Sequence, residues 1–174
     1  MKVLNITHGR LKIERVFEDL YTEIHRDFLD NNDVLLPTFQ DIQRNYQYPD
    51  DVRILLEDLV INVETDTENI TIELKKGFMT DFGSVPKIAR GIVPYDDIKY
   101  IIAYLAHDGF FGGNYGFTFS NCLLREMLRW KDVAWRKLNY VYYAVKMFGS
   151  GAYKKNQYQL QKERRFLSVL RESK

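Results

Sequence analysis

The sequence predicts an α+β fold: a small antiparallel N-terminal sheet followed by a C-terminal bundle of about four helices. Two observations predict it. Before Gly77 several short stretches alternate apolar and polar residues, the period of a strand with one wet face; after it apolar residues recur at helical spacing. Strands first and helices afterwards, rather than interleaved, is the order of an α+β chain.

Leu11 to Phe17 alternates and is read as a strand. Asp58 to Glu64 and Ile70 to Leu74 repeat the pattern with β-branched residues, and the polar stretch Thr65 to Asn69 between them has hairpin length. The segment 27–51 has no clear period and is read as an irregular arm with a short helical turn around Phe39 to Arg44. Pro94 and the acids Asp96 and Asp97 introduce an apolar-periodic run, Ile98, Ile101, Ile102 and Leu105, that is expected to stop at Gly109. A second helix is expected from Ser120, as its N-cap, to Trp130, and a third from Asp132 to Phe148, ended by Gly149-Ser150-Gly151. A polar, basic helix is expected from about Tyr153 to Arg171. One domain, 1–174, follows: mainly β over 1–76, a helical motif core over 77–153, and the basic helix over 154–174.

Composition narrows the function. With 25 basic and 24 acidic side chains the formal charge is +1, which argues against nucleic-acid binding through bulk positive charge. One cysteine, Cys122, permits no intrachain disulfide and no cysteine zinc cage, and its apolar neighbours suit an inert buried thiol better than a nucleophile paired with His107. No apolar run near the start resembles a signal peptide, and none has the length of a membrane span. Twelve tyrosines and eleven phenylalanines point to a rigid core or a contact surface.

Chemistry concentrates in two phrases, GFMTDFGSVP at 77–86 and AHDGFFGG at 106–113. In the first, Asp81 or Ser84 suits a turn that caps a short helix, or a turn aiming both side chains at the end of the next helix. In the second, His107 and Asp108 are about 100° apart on a helix and so face different surfaces. Asp108 lies on the apolar stripe with Ile101 and Leu105, which makes it the more informative residue, since a buried carboxylate needs a partner. The pair is either a satisfied structural network or a site in which His107 acts as base and Asp81 and Asp108 orient it or hold a cation. His-Glu-x-x-His, Gly-Lys-Ser/Thr and Gly-x-Ser-x-Gly patterns do not occur.

Thr80-Asp81-Phe82-Gly83-Ser84-Val85-Pro86, then His107-Asp108, then Ala144-Val145-Lys146-Met147-Phe148-Gly149, resembles a family of small phage and prophage proteins of unknown function. The resemblance covers roughly Lys75 to Tyr153. Its motifs are in turn similar to the helix pair of calcium-dependent secreted phospholipases, where the His activates water, the adjacent Asp binds calcium and a distant Asp holds the His. The resemblance therefore implies His107, Asp108, Asp81, Ser84 and Asn121 as site residues and a divalent cation such as calcium as cofactor. Two departures imply a degraded site: Phe111 stands where the family has Tyr, and Asn121 where an acid is expected. An Asn lacks the charge that stabilises an imidazolium. The resulting expectation is a phage protein, either virion-associated (tail, neck or capsid accessory) or interacting with a host protein. Its partners would be other phage structural proteins or a host factor, and its location the virion or host cytoplasm. The alternative is a phage-encoded hydrolase using the same residues.

Overall fold

The computed structural model describes residues 2–7, 13–15, 18–29, 39–40, 50, 52–81, 91, 97–112, 115–163 and 166–174. It is an α+β arrangement of two antiparallel sheets and, among these residues, four helices lying mostly in the C-terminal half. The larger sheet has strand order β1-β4-β5-β7, with β1 at Lys2–Thr7, β4 at Leu59–Glu64, β5 at Glu68–Leu74 and β7 at Leu167–Ser173. The smaller runs β2-β3-β6, with β2 at Ile13–Arg15, β3 at Arg53–Leu55 and β6 at Met79–Thr80. The helices are α1 (Glu18–Leu29), α2 (Ile98–Gly112), α3 (Phe117–Trp130) and α4 (Trp135–Glu163).

The expected hairpin is present. β4 pairs with β5 from Leu59↔Leu74 to Glu64↔Asn69, and Leu59, Ile61 and Val63 face Ile70, Ile72 and Leu74 on the buried side. Thr65 closes the turn, its hydroxyl and amide both bonded to the Glu68 backbone. This buried face meets α2, α3 and α4 in one apolar core that includes Tyr104, Phe110, Leu124, Met127 and Val145. Tyr21 and Ile24 of α1 pack instead with Val52, Ile54 and Met79 over the smaller sheet.

Several boundaries differ from expectation for local physical reasons. The strand expected at Leu11 to Phe17 is described only at Ile13–Arg15, and α1 follows, its Tyr21 and Ile24 one helical turn apart. Within the arm, Asp27 to Leu29 complete α1 and Phe39 and Gln40 are helical; the rest of the proposed turn to Arg44 lies outside the described residues. Helix α2 begins as expected, with Asp97 Oδ1 accepting from the Lys99 amide, but continues past Gly109 to Gly112. Gly109 is a close approach rather than a stop: a Cβ there would lie 2.8 Å from Leu74 Cδ2. Ser120 is not an N-cap; α3 starts at Phe117, and the Ser120 hydroxyl bonds back to the Gly116 carbonyl at 2.9 Å.

The third and fourth expected helices are one element followed by a strand. Helix α4 runs through Gly149-Ser150-Gly151 to Glu163, and Gly149 again marks contact, since a Cβ would meet Phe117 Cε2 at 3.3 Å. The basic tail then becomes β7, paired with β5 from Leu74↔Leu167 to Glu68↔Ser173. Leu167 and Val169 lean on the core, Arg171 binds Glu68 at 2.6 Å and lies over the Tyr115 ring, and Lys174 binds Glu64. No helix among the described residues is long and apolar enough to cross a membrane.

Asp132, expected to open a helix, instead ends α3 in the left-handed region at φ 55. The Val133 amide reaches the Leu128 carbonyl and the Asp132 amide the Arg129 carbonyl, the two bonds of a Schellman C-cap, a position that favours glycine. Asp132→Gly is expected to stabilise the chain by about 1 kcal/mol, raising Tm by roughly 2–4 °C in calorimetry.

Candidate functional site

Helix α2 is buried nearly all round: Ile102 to His107 are enclosed without a break, and Ile101 and Asp108 flank them half-buried. Such a helix belongs in an interior, and each polar side chain it carries needs a partner there. Among the described residues the buried polar side chains are Thr80, Asp81, His107, Ser120 and Asn121, all within or beside the sequence motifs.

Three of these, Thr80, His107 and Asn121, meet around the half-buried Asp108. The His107 imidazole is 0% exposed. Its Nδ1 lies 3.3 Å from Asp108 Oδ1, and its Nε2 lies 3.0 Å from Asn121 Oδ1 on α3. Asp108 Oδ2 accepts the Thr80 hydroxyl from β6 at 2.5 Å. The Phe111 ring leans on the imidazole at 4.1 Å between centroids, and Phe117 meets Phe111 edge-on. The chain of contacts Thr80, Asp108, His107, Asn121 thus joins the smaller sheet to α2 and α3.

The two residues of the pair differ in burial. His107 is the enclosed residue, while the Asp108 side chain is 17% exposed and sits at the margin. The neighbours do touch despite their separation around the helix, because the carboxylate turns back toward Nδ1. Asn121 takes its expected place against the His. Asp81 is buried one residue beyond Thr80, and Ser84 lies outside the described residues. Thr80 was not singled out as a site residue; its signal was its place in the Thr-Asp pair that opens the motif. Cys122 is half-buried rather than enclosed, and it is Asn121 that occupies Nε2.

Donor and acceptor matching constrains the network further. With the Nδ1 proton directed at Asp108, a singly protonated ring presents a bare Nε2 to Asn121. The Asn121 oxygen cannot donate there, and its Nδ2 is buried with no hydrogen-bond partner among the described residues. A half-turn of the amide lets Nδ2 donate to Nε2. No group of three or more His, Cys, Asp or Glu suited to holding a metal occurs among the described residues.

Removing Asn121 takes the amide from the enclosed Nε2, and removing the Thr80 hydroxyl takes one donor from the Asp108 carboxylate. Asn121→Ala and Thr80→Val should each cost about 1–3 kcal/mol in urea unfolding. Asn121→Ala combined with His107→Ala should cost less than the sum of the two, by at least about 0.5 kcal/mol.

No curated protein and no solved structure matches the chain. A family model does, over residues 55–145, more than half of the length. The matched span takes in the β4–β5 hairpin, Thr80, the whole of α2 and α3 and the first part of α4, and leaves out β1, α1 and β7. The chain therefore belongs to the family described as "Protein of unknown function (DUF1353)".

Proposed function

We propose that this chain is a non-enzymatic phage protein, virion-associated or directed at a host protein, in which the His-Asp cluster holds the fold together. The observation that carries this reading is the enclosure of His107: fully buried, with each ring nitrogen facing a protein group and a phenyl ring against it. A general base must reach its substrate or a water, directly or through one bridging molecule. Here both nitrogens are engaged within the protein. The exposed aromatic and thioether side chains of α4, among them Trp135, Tyr143, Met147 and Phe148, further support a protein that works by contact. The phage and virion assignment rests on the motif resemblance, and the partners it suggests are other phage structural proteins or a host factor.

The alternative keeps His107 as the base of a hydrolase, with Asp81 and Asp108 holding a cation such as calcium. The one observation in its favour is that the Asp108 carboxylate reaches the surface while touching the His. The two readings separate on cation binding. A site filled at a hundred times its Kd would add about 2.7 kcal/mol, several degrees in Tm. Calorimetry with millimolar calcium, magnesium or zinc is expected to leave Tm unchanged. A rise that Asp108→Asn abolishes would establish the hydrolase-like site instead.

A further inference from the structure

One face of α4 has the pattern of a helix-pairing seam. Arg136, Tyr140, Tyr143 and Met147 follow at spacings of four, three and four, which places them within an arc of about 60°. This is the a/d alternation of a two-helix contact, with Tyr140 and Met147 at a and Arg136 and Tyr143 at d. The opposite face is already used: Leu138, Val141 and Val145 are buried in the core. The seam itself is open, with Tyr140 36%, Tyr143 56% and Met147 70% exposed.

The flanking charges name the partner. Lys137 falls at e and Lys146 at g, one on each side of the seam, while Asn139 and Ala144 fill the other flanking positions. Helix α4 carries six basic residues and a single acid, Glu163 at its last position, although the whole chain is almost neutral. The acids lie on other elements. A second copy pairing through this face would bring only basic and neutral side chains to it and so offer no carboxylate to Arg136, Lys137 or Lys146. A partner helix with an apolar seam and Glu or Asp at its own flanks would satisfy both lysines and give Arg136 a carboxylate. Tyr, Met and Arg are also the residue types enriched at the centres of protein contacts.

We propose that the exposed seam Arg136-Tyr140-Tyr143-Met147 of α4 docks an acidic amphipathic helix of another protein. This rests on the reading of the chain as an interaction protein and specifies the chemistry of its partner. The test uses the full chain and two designed three-heptad peptides, one with Leu at the seam and Glu at the flanks, the other with Lys in place of every Glu. The acidic peptide is expected to bind in titration calorimetry. Tyr143→Asp and Met147→Asp, on an exposed face, should keep the wild-type Tm and weaken binding about tenfold or more. Affinity should fall as salt rises, and the Lys peptide should not bind.

Equal binding of both peptides, or no binding of the acidic one, overturns the inference. So does tighter binding of a single-stranded oligonucleotide or of phosphatidylserine vesicles under the same conditions. Acidic-peptide binding that survives Tyr143→Asp and Met147→Asp overturns the assignment to α4 but leaves the interaction reading standing. A Tm that rises with calcium through Asp108 would overturn that reading independently of any peptide result.

Discussion

The burial of α2 nearly all round is the constraint on which the rest of the structure depends. The helix lies between the β4–β5 hairpin and the pair α3 and α4, and Gly109 lets it close on Leu74 and Ile72 of β5. An interior helix of this kind gains apolar burial all round, but it cannot leave a polar side chain unmet. His107 is the polar residue at its most enclosed point. Its hydrogen-bond partners are Asp108 of α2 and Asn121 of α3, and Asp108 in turn holds Thr80, so the chain of bonds through the ring ties β6, α2 and α3 to one another.

That role explains the two departures from the motif pattern in physical terms. A phenyl ring at 111 packs on the imidazole and needs no hydrogen-bond partner of its own, as a phenol would. An amide at 121 meets Nε2 without placing a second buried carboxylate near Asp108. Helix α4 carries a single acid, at its last position, and Tyr140, Tyr143 and Met147 are exposed on its outward side.

Much of this was legible in the sequence where local pattern and burial coincide. The hairpin was readable because Leu59 to Glu64 and Ile70 to Leu74 each have one wholly buried face. The start of α2 was readable from Asp97 and the apolar run. What was lost depends on contacts between distant residues. Gly109 and Gly149 look like helix ends, yet both lie inside helices: a Cβ at Gly109 would run into Leu74, and one at Gly149 would sit tightly against Phe117. The final segment reads as a basic helix, but Leu167 and Val169 find the core and Arg171 finds Glu68, more than a hundred positions earlier. The Thr80 to Asp108 bond spans 28 positions; the sequence aims the first motif at the end of the helix that carries the second, through Asp81 and Ser84 rather than through Thr80.

The central claim is that His107 is a closed structural pin, and its most direct test is the chemical accessibility of that imidazole. Diethyl pyrocarbonate acylates bare imidazole nitrogens, and peptide mapping by mass spectrometry separates His107 from His8 and His25. The account predicts that His107 in the folded chain stays unmodified while N-acetylhistidine in the same solution reacts to completion, and that it reacts once the chain is unfolded in urea. Modification of His107 in the folded chain at a rate near that of the free reference would contradict it and return the imidazole to the role of a working base.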